Sequence, residues 1–180
     1  LLGLLMGCIN GVLVAVLELP PFIATLGTMM VARGFGSIIT GGMSVTWPAA
    51  SSEQGWFRML FKINKPGLLL PVGFIWVVIF VILMSLFLNK TRPGRYIIAI
   101  GSNKEATRLS GVNVVKYQAL AYIISGVFAG IAGIAYAAVF SSSIAPGTGA
   151  GLELDAIAGA IIGGTSMTGG CGSIFGTLLG

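Results

Sequence analysis

Long apolar runs separated by polar stretches organise this chain. A membrane-crossing helix needs about 20 mostly apolar residues. Residues 1–17, 22–40, 68–88 and 117–140 each supply most or all of such a run. Glu18 and the pair Pro20-Pro21 close the first run, because proline ends helices and pushes the preceding residue toward extended backbone. The second run contains Arg33, a charge that lipid tolerates only where it faces protein or water or snorkels to an edge. Residues 68–88 carry no charge and form the clearest span. Residues 41–67 are polar and hold Trp47 and Trp56, a residue type enriched at membrane interfaces. Residues 89–116 form the second polar stretch, 141–151 a loop of small residues, and 153–180 an apolar segment broken by glycines. The chain begins and stops inside apolar runs, which reads as a fragment cut mid-helix at both ends.

Composition supports lipid as the solvent for most of the chain. Charged residues make up 8%, where a soluble domain carries about a quarter, and the mean hydropathy is +0.99. Ten Lys and Arg stand against five Asp and Glu. The polar stretch 89–116 holds Lys90, Arg92, Arg95, Lys104, Arg108 and Lys116 against Glu105 alone, so the positive-inside rule makes it cytoplasmic. By alternation, residues 18–21 lie inside, and 41–67 and 141–151 outside. The basic excess therefore marks cytoplasmic loops and not a nucleic-acid partner. The fold class expected is all-α: a polytopic transmembrane helical bundle, one domain over residues 1–180.

Glycines recur four apart at Gly3, Gly7 and Gly11, at Gly126 and Gly130, and at Gly172, Gly176 and Gly180. That spacing lines one helix face with backbone and lets neighbouring helices approach closely. The first and last ladders resemble each other and run in opposite directions by the same alternation, the pattern of an inverted internal repeat.

Soluble chemistry is sparse. There is no histidine, and Cys8 and Cys171 have neither disulfide nor metal-ligand spacing. No Gly-x-x-x-x-Gly-Lys-Ser/Thr sequence offers a nucleotide loop. Glu153 and Asp155 are two apart and point in different directions on a helix, which argues against a paired-carboxylate reaction. The segment from Asn103 to Gly111 is more informative. Ser102 or Asn103 can cap a helix with Glu105 in its first turn, and Gly111 fits just past its end. Such a helix is too short to stand alone and too polar to span, so the segment is a helix docked on the lipid surface, a plain ordered loop, or a contact element for a cytoplasmic partner. The glycine-rich residues 163–172 form either a cytoplasmic turn or a broken helix beside a pathway.

Three stretches resemble the permease subunits of the ribose-type (carbohydrate uptake) ABC transporter family. They are Pro21-Phe-Ile-Ala-Thr-Leu-Gly27 with Ala32-Arg33-Gly34, then Gly94-Arg-Tyr-Ile-Ile-Ala-Ile-Gly-Ser-Asn-Lys-Glu-Ala-Thr-Arg-Leu-Ser-Gly111, then Glu153-Leu-Asp-Ala-Ile-Ala158 with Gly163-Gly-Thr-Ser-Met-Thr-Gly-Gly170. Order and spacing agree over nearly the whole chain. The resemblance implies a multi-pass permease of the bacterial inner membrane that imports a monosaccharide and is not itself an enzyme. The implied partners are a cytoplasmic ABC ATPase, a second permease copy or paralogue, an extracytoplasmic sugar-binding protein and membrane lipid. ATP and Mg would sit on the ATPase, with no cofactor on this chain. It also implies that residues 89–117 are a cytoplasmic loop carrying a coupling helix formed by Asn103, Lys104, Glu105, Ala106, Thr107, Arg108, Leu109, Ser110 and Gly111. Sugar hydroxyls need weak polar partners along a route, for which Asn10, Thr25, Thr28, Glu153 and Asp155 are the candidates. The two acids also fit a role confined to shaping the outer mouth. Cys171 is given no role. The same machinery with branched-chain amino acids, nucleosides or a furanose signal as cargo stays open, as does a secondary transporter driven by ions.

Overall fold

A computed structural model of the chain describes residues 1–46, 61, 72–140 and 143–180. Trp47, Trp56, the remaining charges of the first polar stretch and residues 68–71 lie outside the described residues. Eight helices are described: α1 Leu2–Ala15, α2 Pro21–Thr40, α3 Val72–Lys90, α4 Arg92–Ser102, α5 Lys104–Leu109, α6 Val114–Phe140, α7 Leu152–Ile162 and α8 Ile174–Leu179. Helices α2, α3 and α6 are long and apolar enough to cross a membrane. The all-α helical bundle is therefore present, with one small addition. Strand β1, Val45–Thr46, pairs antiparallel with β2, Ser143–Ile144.

Local chemistry sets the helix ends. Pro21 is the first residue of α2, where its missing N–H costs nothing. Gly41 ends that helix in the left-handed region at φ 60, its N–H donating to the Ile38 carbonyl. Asn113 accepts the Lys116 N–H at 3.1 Å and starts α6 three residues before Tyr117. The polar stretch 89–116 holds more than the one short helix expected, because α4 precedes it. The Thr91 side chain caps α4 by accepting the Gly94 N–H at 3.2 Å, and its hydroxyl donates to the Phe87 carbonyl at 2.6 Å. Gly94 is buried against the backbone of Phe87 and Leu88, where any side chain would collide.

The bundle is centred on α1 against α6, which touch more extensively than any other pair. The glycine ladders meet there. A Cβ on Gly7 would lie 2.7 Å from the Tyr122 carbonyl oxygen, and one on Gly126 2.7 Å from the Gly7 Cα. The seam continues to Gly11, which lies against Ala119, and Val14 and Ala15 on α1 and Ala137 and Ala138 on α6 are buried. Large apolar side chains such as Phe22, Met30, Phe35 and Ile39 on α2 point outward, as lipid permits. The last ladder packs differently. Gly176 lies against Gly163, and Gly180 against Gly159, closing an α7–α8 hairpin. Gly172 precedes α8 and is not on its face.

Two contacts sort the connections into two ends. The β1–β2 pair joins the segment after α2 to the segment after α6. At the other end, Lys104 Nζ lies 3.6 Å from Glu18 Oε1, joining the basic segment to the α1–α2 corner. Each pairing joins two segments that alternation assigns to one side. With Cys8 and Cys171 replaced by Ser, Ser44→Cys is expected to react with an impermeant thiol reagent on intact cells, and Ser102→Cys only after lysis. The reverse pattern inverts the orientation.

Candidate functional site

At the basic end, Asn103 serves two helices. Its N–H donates to the Ala99 carbonyl at 3.0 Å and closes α4, and its side-chain oxygen accepts the Ala106 N–H at 2.9 Å and opens α5. Glu105 stands in the first turn of α5 and Arg108 in the last, each favourably placed in the helix dipole. Gly111, at φ 79, turns the chain out toward α6. Six residues do not hold a helix alone. Thr107 anchors this one: it is buried, and its hydroxyl donates to the Asn103 carbonyl at 2.8 Å. The outward side stays free. Leu109 is 87% exposed, and Ala106, Glu105, Arg108 and Ser110 are exposed too. Among the described residues Glu105 and Arg108 form no ion pair, and Lys104 takes Glu18 as its partner. The result is a rigid apolar knob ringed by charge. Burying a leucine side chain from full exposure contributes about 1.5–3 kcal/mol.

The polar candidates inside the bundle fall into two levels. Asn10 on α1 and Thr28 on α2 meet, the Thr28 hydroxyl donating to Asn10 Oδ1 at 2.7 Å. The same proton has a second acceptor in the Thr25 carbonyl at 3.0 Å. Thr25 turns its own hydroxyl onto the Pro21 carbonyl at 2.9 Å. Five residues further along α2, a rise of about 7.5 Å, Arg33 Nη2 lies 3.5 Å from Glu153 Oε2. Both side chains are roughly one-third exposed. The same Glu153 oxygen accepts the Gly151 N–H at 3.1 Å, which also orients the start of α7. The Asp155 side chain is exposed and makes no hydrogen bond or ion pair among the described residues, while its N–H donates to the Gly151 carbonyl at 3.3 Å. The structure thus brings Asn10 to Thr28 and gives Arg33 the carboxylate that a charge within an apolar run requires. Sequence reasoning did not pair Arg33 with Glu153, since 120 residues separate them. Arg33 inside one apolar run and Glu153 at the start of another were the available signal.

Arg33→Leu and Glu153→Gln are each expected to lower several-fold the uptake that the resemblance implies for the full-length protein. The double variant should lose little more than either single, because the two act as a unit. Additive losses in that cycle assign the pair no joint role.

Residues 163–172 form a turn between α7 and α8. The Ser166 N–H donates to the Cys171 carbonyl at 3.0 Å, and the Gly169 N–H to the Ser166 carbonyl at 3.1 Å. The turn sits against the C-terminus of α4, where the Ser102 hydroxyl donates to the Gly170 carbonyl at 3.4 Å.

The model of the family described as branched-chain amino acid transport system, permease component, matches residues 1–180. The ribose import permease protein RbsC of Escherichia coli is 43% identical over 99% of this chain and 54% of its own length. The fructose import permease protein FruF of Bifidobacterium longum is 40% identical over 99% of this chain and 49% of its own. The galactofuranose transporter permease protein YtfT of Escherichia coli is 41% identical over 93% of this chain and 47% of its own. The chain spans about half the length of these curated relatives. No solved structure matches it. With its apolar helices and a match along its full length, the chain belongs to the membrane permease family of the branched-chain amino acid transport system type.

Proposed function

We propose that the chain is part of the inner-membrane permease of an ATP-driven monosaccharide importer, and that α5 is the seat of its cytoplasmic ABC ATPase. The observation that carries this reading is the exposure of Ala106 and Leu109 on a capped, anchored helix at the basic end. The printed names of the relatives, import permeases for ribose and fructose and a transporter permease for galactofuranose, favour a sugar as cargo.

In this reading the ATPase binds ATP and Mg and performs the hydrolysis, and this chain supplies no group to that reaction. Closure of the ATPase moves α5 as a rigid body, since both its ends are fixed by hydrogen bonds. An extracytoplasmic binding protein delivers sugar at the end marked by Glu153 and Asp155. A second permease copy or paralogue completes the route. Asn10, Thr25 and Thr28 offer the sugar amide and hydroxyl partners, weak enough for fast release.

The test is uptake into vesicles by the full-length permease reconstituted with its ATPase and binding protein. ATP-dependent entry of ribose, fructose or galactofuranose is expected. Entry of a branched-chain amino acid or nucleoside instead keeps the machinery and corrects the cargo. Entry driven by an ion gradient without ATP overturns the proposal.

A further inference from the structure

The short helix α5 has no free play toward α4. Asn103 is at once the C-cap of α4 and the N-cap of α5, so a displacement of α5 displaces Gly101 and Ser102 with it. These two residues rest on the turn between α7 and α8. A Cβ on Gly101 would lie 3.2 Å from the Gly170 Cα, one on Gly169 3.0 Å from the Gly101 carbonyl oxygen, and one on Gly170 2.7 Å from the Ser102 Cα. The contact is mostly backbone on backbone, and the Ser102 side chain is part of it, its hydroxyl donating to the Gly170 carbonyl at 3.4 Å. Gly169 and Gly170 hold φ values of 90 and 79, conformations that L side chains rarely adopt. Both the space and the backbone shape at this point therefore require glycine. Beyond the turn, α7 is 11 residues long, about 16 Å at 1.5 Å per residue. Its far end carries Glu153, bonded to Arg33 on α2.

The geometry points to the 163–172 turn as a transmission element: the Gly101/Ser102 contact with Gly169/Gly170 carries displacement of α5 into α7, and so to the Arg33–Glu153 pair at the opposite end. This rests on the function proposed above and adds positioning residues that touch neither ATPase nor sugar.

In the full-length permease with its ATPase and binding protein, Gly170→Val is expected to retain ATPase co-purification. Sugar moved per ATP hydrolysed should fall by more than tenfold. A second measurement needs no change at the contact. Cys171 is exposed beside Gly170, whereas Cys8 is half-buried in α1. The rate at which an impermeant maleimide labels Cys171 should differ several-fold between the nucleotide-free and ATP-trapped complexes. Leu109→Asp, which removes the docking knob, should abolish that difference. Normal coupling in Gly170→Val overturns the inference, and so does a Cys171 labelling rate unaffected by nucleotide in a complex that transports. A complex whose unmodified form neither retains the ATPase nor consumes ATP on sugar addition overturns the proposed function and the inference together.

Discussion

The double substitution Ala106→Glu with Leu109→Asp is expected to leave the permease in the membrane, abolish ATPase co-purification and reduce ATP-dependent uptake to background. The expectation follows from how α5 is built. Its fold depends on Asn103, Thr107 and Gly111, none of which changes. Its offered surface depends on Ala106 and Leu109, three residues apart and therefore on one face. Loss of the Leu109 side chain from an interface removes about 1.5–3 kcal/mol, roughly one to two orders of magnitude in affinity. Two carboxylates forced into the same apolar contact add a desolvation penalty. Exchanging Glu105 and Arg108 should act differently. Exposed charges set partner choice and encounter rate more than affinity, so Glu105→Arg with Arg108→Glu should weaken the salt dependence of association and leave residual uptake. If co-purification and uptake both survive Ala106→Glu with Leu109→Asp, this helix does not seat the ATPase.

The spans were legible because lipid imposes a simple rule on sequence: about 20 apolar residues between polar ends. Residues 22–40 and 117–140 became α2 and α6 with shifts of three residues or fewer. The α5 caps were legible for a similar reason, since Asn103 and Gly111 are local signals. Helix α4 was missed although its cap was local too. Thr91 followed by Arg92 and Pro93 is an N-terminal signature, but the basic residues and two glycines of residues 92–102 made the segment look like loop. The last glycine ladder failed on one rung because four-residue spacing presumes a continuous helix, and α8 begins only after Gly172. What spacing cannot reveal is a partner far along the chain. Gly163 against Gly176 and Arg33 against Glu153 depend on how helices cross, and nothing within a single run of residues encodes that.

Gly126→Val is expected to lower the amount of folded permease in the membrane by more than tenfold, with uptake falling in proportion. At most sites a larger side chain costs about 1–3 kcal/mol, because neighbouring side chains shift to admit it. At Gly126 the neighbours are the Gly3 carbonyl and the Gly7 backbone, which cannot rotate away. Helix α1 must then back off along its length. That opens the seam at which Gly7 and Gly11 meet Tyr122, Ile123 and Ala119. In lipid no hydrophobic force draws the two helices back together, so the loss of close packing is not compensated. Position 133 on the same helix supplies the contrast. Nothing lies within 4 Å of a Cβ at Gly133, and replacing glycine by alanine inside a helix gains up to about 1 kcal/mol of propensity. Gly133→Ala should therefore leave protein level and uptake intact or raise the level slightly. Thermal denaturation in detergent, followed by size-exclusion recovery, separates the two variants. Equal tolerance of Gly126→Val and Gly133→Ala would show that close approach of α1 and α6 does not hold the bundle together.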